Sequence, residues 1–319
     1  MLRFPSHCRH SEETPLGNNS IRREFVYIRQ TPIHGGLGQT LRQRLLYKSM
    51  VAGGLGWGKS CEVVAVVVLA ALSLPCAAQQ DDDGPEANPA RPTIATPATL
   101  IPVGYLQFET GALYARTSPE LSSQFSLNEV AKLTVHPRLE LLTSWEPVAH
   151  SHTAGGVSND KGDFLLGVQT VLSPGEGTRP TIAASYFERV YAGAAPDLDI
   201  GGPHRSFLLL ASADVKGFHY DLNGFVNQVD GVGVRRAQFG QTISVSHPLG
   251  QKFSVGGELW HFSQPFLRAN AIGNLWNVAY SARKNLVFDA GFIRGVTSTS
   301  THWQVVAGFT YLLPHKLWR

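Results

Sequence analysis

The chain has 319 residues, with 27 lysine and arginine residues against 24 aspartate and glutamate residues, a formal net charge of +3. Nine of the basic and four of the acidic residues precede Gln79, so the remainder carries 18 basic and 20 acidic residues and is slightly acidic. That balance argues against a nucleic-acid partner. All three cysteines, Cys8, Cys61 and Cys76, also precede Gln79, which excludes disulfides and thiolate metal sites from the remainder.

The first 78 residues predict no folded domain. Met1 and Met50 are the two methionines of the chain, and residues 1–49 lack a clear periodicity, which predicts an over-extended start or a disordered extension. Residues 50–78 have the anatomy of a signal peptide: a short basic stretch, the apolar run Val63–Leu74 and small residues before Gln79. GGLGWGKS (residues 53–60) matches the P-loop template, but no strand-like run precedes it and the run after it lacks a polar face.

Residues 79–98 contain three consecutive aspartates and four prolines. Such a composition offers little apolar surface to offset the entropy of ordering the chain. We therefore predict a disordered periplasmic lead-in over 79–98, followed by a folded domain over 99–319.

Residues 99–319 alternate apolar and polar side chains in segments of about ten residues, separated by turn signals. In FHYDLNGFVNQ, for example, Phe218, Leu222 and Val226 share one side, and Asp221 and Asn223 take the other. Twelve segments can be counted, and short turns alternate with longer polar loops. An even number of strands with this alternation predicts an all-β, transmembrane, antiparallel up-and-down β-barrel of about 12 strands in the cell outer membrane. The alternative is a soluble β-sandwich, whose strands are usually shorter.

Several stretches of residues 93–314 resemble one family of outer-membrane proteins. They include PVGYLQFETGALYAR, VAKLTVHPRLELLTSWEP, KGDFLLGVQTVL, HYDLNGFVNQ and the closing LVFDAGFIRGVTSTSTHWQVVAGFTYLLP. The chain is similar here to the β-barrels called the MetA-pathway of phenol degradation family, which are transporter-like. The resemblance implies a barrel for uptake or export of small solutes, aromatic compounds among them. Family members often end on an aromatic strand residue, whereas PHKLWR follows the last strand here.

The alternation also predicts which polar side chains line the lumen. The candidates on the inward side are Glu109, Lys132, Glu140, Asp214, Asp221, Asn223, Glu258 and Asp289. Their acid excess predicts a wet lumen and a narrow, weakly cation-selective pore, since buried charges are costly unless they are paired or hydrated. A filled barrel whose carboxylates hydrogen-bond across the interior is the alternative.

No catalytic, cofactor or metal site is expected from the sequence. The loop HSHTAGGVSNDKGD offers His150, His152, Asp160 and Asp163, and PDLDIGG offers Asp197 and Asp199, but both have the composition of ordinary turns. A surface Ca²⁺ or lipopolysaccharide-bridging cation is the alternative. We therefore expect a channel or transporter-like barrel whose partners are outer-membrane lipid, the barrel-assembly machinery and a small-molecule solute. An outer-membrane phospholipase- or esterase-like enzyme and a structural or adhesive barrel without transport remain alternatives, because histidines such as His219 and His261 lie within strands.

The first prediction concerns processing. The mature chain should begin at or near Gln79, because the apolar run is too short to span a bilayer and has signal-peptide flanks. N-terminal sequencing of the protein from the outer-membrane fraction measures this directly. Recovery of any residue before Val63 would contradict the prediction.

Overall fold

The computed structural model describes residues 84–200, 202–231 and 233–318, so residues 1–49, the predicted signal peptide and residues 79–83 lie outside the described residues. The described part is built of antiparallel strands. The strands are β1 Leu106–Arg116, β2 Leu121–His136, β3 Leu139–Thr153, β4 Gly156–Asp160, β5 Phe164–Ser173, β6 Thr181–Tyr191, β7 Pro203–Val215, β8 Phe218–Gly231, β9 Val234–Leu249, β10 Phe253–Gln264, β11 Ala269–Arg283, β12 Leu286–Gly295 and β13 Trp303–Leu312.

Twelve of these strands close into one barrel. Each pairs with its sequence neighbours, and β1 pairs with both β2 and β13, which leaves no open edge. The thirteenth, β4, forms a short hairpin on the far part of β3, whose near part pairs with β5. The predicted all-β up-and-down barrel of 12 strands is therefore confirmed. Closure gives every strand two hydrogen-bonded neighbours, as a hydrocarbon environment requires.

Successive side chains along a strand point alternately outward and into the barrel, as the sequence predicts. The outward side chains of Phe108, Leu222 and Val305 are 39%, 47% and 45% exposed. Their inward neighbours, such as Gln107 and Gln304, are buried. A soluble domain would hide the apolar side, so this exposed apolar surface identifies the wall as lipid-facing. Within the part of the chain that the structure describes, no helix is long and apolar enough to cross a membrane.

The two ends of the barrel differ in their connections. At one end, here called the turn end, β7 and β8 are joined by Lys216 and Gly217, both with positive φ (51° and 82°), as a tight two-residue hairpin requires. Short connections there also join β2 to β3, β9 to β10 and β11 to β12. At the opposite end, here called the loop end, longer segments separate β3 from β5, β6 from β7 and β12 from β13. Barrels of this kind place short turns in the periplasm and long loops outside.

The residues before β1 differ from the prediction. Residues 84–98 were expected to be disordered in the periplasm, but they lie against inward-facing side chains of the barrel. Composition failed here because the ordering of this segment does not depend on its own apolar surface. Its backbone N–H groups donate to side chains of the wall.

The second prediction tests the lipid-facing side. Leu222→Arg should lower the free energy of unfolding by about 2–4 kcal/mol relative to the native chain, because a charge replaces an apolar side chain in hydrocarbon. The measurement is a denaturant titration of the barrel refolded in lipid vesicles.

Leu222→Ala is the matched control, since it removes the side chain without adding a charge. Equal losses for the two variants would show that residue 222 does not face lipid.

Candidate functional site

A segment that precedes the first strand occupies the barrel interior. This lumen segment, residues 87–101, enters at the turn end, where the Ala87 N–H donates to the Lys284 carbonyl oxygen at 2.9 Å. It reaches farthest into the barrel at Ile94 and Ala95, beside β10, and returns to the turn end at Ile101, beside β3. Its hydrogen-bond and ion-pair partners belong to eight of the twelve wall strands, so it crosses the whole interior.

Wall side chains hold the deep part of the lumen segment by its backbone. The Glu258 carboxylate accepts the N–H groups of Ile94 and Ala95, both at 2.8 Å. Asn223 accepts the Thr96 N–H at 2.6 Å and donates to the Thr96 carbonyl oxygen at 2.9 Å. Carboxylates and amides on the wall thus satisfy an irregular backbone that would otherwise carry unpaired groups in a closed interior.

Charged residues hold the rest of the segment. Glu109 forms an ion pair with Lys132 and also accepts the Ala90 N–H at 3.2 and 3.3 Å. Arg91 brings its own charge into the lumen, 3.5 Å from a carboxylate oxygen of Asp289. These pairs are buried, so the loss of one partner would leave an uncompensated charge.

The Arg91 guanidinium lies flat against a glycine surface on β1 and β13. A Cβ atom at Gly111 would stand 1.9 Å from its Nη2 atom, and one at Gly308 would stand 2.8 Å from the same atom. The missing side chains therefore make the room that the arginine occupies. In the sequence these two positions are simply glycines within strands. Only the folded structure shows that they make room for Arg91.

The structure places seven of the eight predicted lumen residues inside the barrel. Those seven are at most 9% exposed: Glu109, Lys132, Glu140, Asp221, Asn223, Glu258 and Asp289. The prediction was wrong for Asp214, whose side chain is 79% exposed at the turn-end rim and lies 2.8 Å from His219. The alternation of side chains along β7 places Asp214 on the inward side. However, Asp214 is the next-to-last residue of the strand, and its side chain projects beyond the interior.

At this depth the lumen segment lies directly against the wall carboxylates. Backbone N–H groups and Arg91, all supplied by the lumen segment, compensate the acid excess. Glu140 follows the same rule, since it accepts the Thr134 hydroxyl at 2.7 Å and the Ile101 N–H at 3.1 Å. The sequence contained the acceptors but gave no sign that their donors precede β1.

An apolar layer lies inside the barrel next to the tip of the segment. Its buried members are Phe225, Trp260, Phe262, Ala271, Leu275, Ile293 and Val306. Ile94 of the lumen segment and Leu113 of β1 pack against it. Trp260 is 2% exposed and stacks on Phe262 with ring centroids 5.2 Å apart. Its even spacing from inward-facing Glu258 could have shown this orientation.

The loop end is covered by the connection between β6 and β7. In this mouth loop, residues 192–200, the Asp199 carboxylate accepts the Thr301 N–H at 2.6 Å and the Gln304 amide at 3.1 Å. The Asp199 carbonyl oxygen accepts the Gln264 amide at 2.7 Å. Burial raises the pKa of Asp199 to about 6, and the hydrogen bonds from Thr301 and Gln304 oppose the rise.

Histidines within the strands were the reason to keep an enzyme as an alternative function. In the structure they contact polar groups of the wall. His219 contacts Asp214 and Asp221 at 2.8 and 3.2 Å, and Nδ1 of His247 donates to the Gly217 carbonyl oxygen at 2.9 Å. His261 lies 3.4 Å from the amide of Gln241. The partners of these histidines are two carboxylates, a backbone carbonyl and a side-chain amide.

Comparisons with known proteins extend the description of the fold. No known protein family and no curated relative matches the chain. Among solved structures, an outer-membrane channel from Pseudomonas putida F1 is similar, with 14% identity and a TM-score of 0.49 over 72% of this chain and 100% of that one. The KdgM porin has 11% identity and a TM-score of 0.45 over 64% and 98% of the two chains, and the NanC porin has 11% and 0.45 over 65% and 98%.

The protein is an outer-membrane β-barrel. The closed ladder and the exposed apolar side of its wall establish this on physical grounds, since together they meet the requirements of a bilayer. The barrel is covered at the loop end by the mouth loop and filled toward the turn end by the lumen segment.

The third prediction concerns the mouth loop and pH. An exposed aspartate titrates near pH ~3.9, so the closed loop, with its raised pKa, binds a proton more tightly than an open loop would. Closure should therefore be most stable at low pH and weaken as pH rises through about 6. Hydrogen exchange of the Thr301 amide, corrected for the intrinsic rate, should show less protection at pH 7.5 than at pH 5.

Asp199→Asn should flatten that pH dependence. The His302 amide is the internal control, because it donates to the Thr117 carbonyl oxygen and not to Asp199. A protection factor at Thr301 that is independent of pH in the native chain would contradict the prediction.

Proposed function

We propose that this protein is an outer-membrane channel for small solutes, closed by its own lumen segment. The observation that carries the proposal is the way the segment is held. Its backbone donates to wall side chains such as Glu258 and Glu109, and it belongs to no strand of the wall. A segment of this kind can leave while the barrel stays closed on itself.

The energetics favour a removable segment. A hydrogen bond within a protein contributes only about 0.5–1.5 kcal/mol net, because water can replace either partner. The ladder between β1 and β13 closes the wall without any contribution from residues 87–101. Twelve strands also lie between the eight-stranded barrels that side chains fill and the wide porins, so withdrawal of the segment would leave a narrow passage.

The charges of the wall indicate which ions would pass. With the lumen segment withdrawn, Glu109, Asp221, Glu258 and Asp289 would face water, with Lys132 as the opposing base among the predicted lumen residues. Carboxylates around a pore favour cations and disfavour anions. We therefore propose a weak preference for cations and passage of small neutral or cationic solutes.

The resemblance to the MetA-pathway of phenol degradation family supports a finer proposal, that aromatic or apolar solutes are among the cargo. The apolar layer around Trp260 and Phe262 supports it independently, because it offers such solutes a surface inside the lumen. In this proposal the barrel carries out no reaction. Outer-membrane lipid and the barrel-assembly machinery are its further proposed partners.

The fourth prediction tests closure by the segment. Deletion of residues 87–98 should raise single-channel conductance in planar bilayers, because it removes the material that fills the lumen. Ala98→Cys with Ser212→Cys should have the opposite effect once oxidised, since the Ser212 hydroxyl lies 2.7 Å from the Ala98 N–H. Formation of the disulfide is checked by a reductant-sensitive shift on electrophoresis.

The single-cysteine variants are the controls, and the native cysteines all precede Gln79. Reductant should restore conductance to the locked variant. If neither the deletion variant nor the native chain conducts ions or lets solutes enter liposomes, the structural or adhesive alternative becomes the better explanation. Hydrolysis of acyl-chain substrates by the purified barrel would instead support the enzyme alternative.

The fifth prediction concerns selectivity. In the deletion variant, Asp221→Asn combined with Glu258→Gln should shift the reversal potential in a KCl gradient toward zero, because two lumen carboxylates are neutralised. Asp214→Asn is the matched control, since that carboxylate lies at the rim. An equal shift in both variants would show that the lumen carboxylates do not set the preference.

A further inference from the structure

Two histidines converge on the hairpin at the loop end of the barrel. The last part of β3 pairs with β4 on one side and with β2 on the other, and His150 and His152 lie two residues apart on the same face of β3. Their Nε2 atoms are 3.2 Å apart. The ring centroids are 5.0 Å apart and the ring planes meet at 77°. Ala149 and Ser151, which alternate with them, are buried on the inward side, so the two partly exposed imidazoles stand side by side outside the lumen.

The neighbouring strand sets the tautomer of one ring. Nδ1 of His150 lies 2.7 Å from Oδ1 of Asn159 on β4. An amide oxygen only accepts hydrogen bonds, so Nδ1 carries the proton and the Nε2 atom of neutral His150 presents a lone pair. Histidines that ligate metals are commonly held this way, with the second ring nitrogen donating to an oxygen acceptor.

We propose that His150 and His152 bind one borderline divalent transition-metal ion, such as Zn²⁺ or Cu²⁺, through their two Nε2 atoms. At a Zn–N distance of about 2.0–2.1 Å, nitrogens 3.2 Å apart subtend an angle of about 100° at the ion, close to the tetrahedral value. The metal replaces the hydrogen bond between the two rings. Neutral His152 loses its Nε2 proton to solvent and takes one up on Nδ1, so the ring stays neutral and its Nε2 lone pair is free to bind the metal.

The chemistry of the donors decides the class of ion. Neutral imidazole suits zinc, copper and nickel, whereas calcium and magnesium prefer oxygen ligands. Among the residues that the structure describes, no group of three or more His, Cys, Asp and Glu side chains forms a metal site. Water therefore completes the coordination, and the affinity is that of an open two-ligand site, weaker than that of a closed structural site.

The site is independent of the proposed transport function, because it lies on the hairpin and shares no residue with the lumen. The experiment uses the mature chain in detergent, without an affinity tag and freed of metal by a chelator. Calorimetric titration with ZnCl₂ should give one site per chain. His150→Gln and His152→Gln should each weaken binding at least tenfold, and Asn159→Leu should weaken it while both ligands remain.

His261→Gln is the matched control, since His261 is a strand histidine away from the pair. The electron paramagnetic resonance spectrum of the chain with one equivalent of Cu²⁺ should show two nitrogen ligands, and this readout needs no variant. Unchanged zinc binding in the His150 and His152 variants, equal competition by Ca²⁺, or a copper spectrum without two nitrogen ligands would overturn the proposal.

Discussion

The fold depends on the need of every backbone N–H and C=O group inside a bilayer for a partner. In hydrocarbon the unpaired edge of an open sheet would cost several kcal/mol per group, so the last strand has to pair with the first. The ladder between β1 and β13 runs over ten residue pairs, from Gln107–Leu312 to Arg116–Trp303. The number of strands, the alternation of their side chains and the length of their turns all follow from this closure, because together they must bring β13 back beside β1.

The same requirement explains the interior. Closure creates a lumen with more room than the wall side chains fill, and the chain places a non-repetitive segment in it. Backbone N–H groups of this segment take their acceptors from the wall. Glu258, Glu109 and Asn223 supply them, and this gives buried carboxylates a role that does not require free water around each one.

Because the lumen segment is attached to the wall by polar contacts, the stability of the wall does not depend on whether the segment occupies the lumen. The wall is held by continuous strand pairing, whereas the segment is held by individual contacts that water can replace. Coverage at the loop end follows the same principle, because Asp199 ties the mouth loop to Thr301 and Gln304 by hydrogen bonds. In the proposed channel, the barrel stays stable while its passage is closed, and the covers move without unfolding of the sheet.

The sequence by itself determined the barrel, its twelve strands and the side of the wall on which a residue such as Leu222 or Asn223 lies. Alternation is a local property, so a few consecutive residues carry it. Trp260 lies two residues after inward-facing Glu258, so the same alternation places it inside the barrel.

Only the tertiary structure decided what fills the lumen. The hydrogen bond between Ile94 and Glu258 joins residues 164 positions apart, and no sequence pattern near either residue predicts it. Residues 84–98 look disordered by composition because their order comes from acceptors on distant strands. The convergence of His150 and His152 with Asn159 likewise required the register of β3 and β4. Local periodicity fixes which way a side chain points, but its partner is set by closure of the whole sheet, which brings distant residues together.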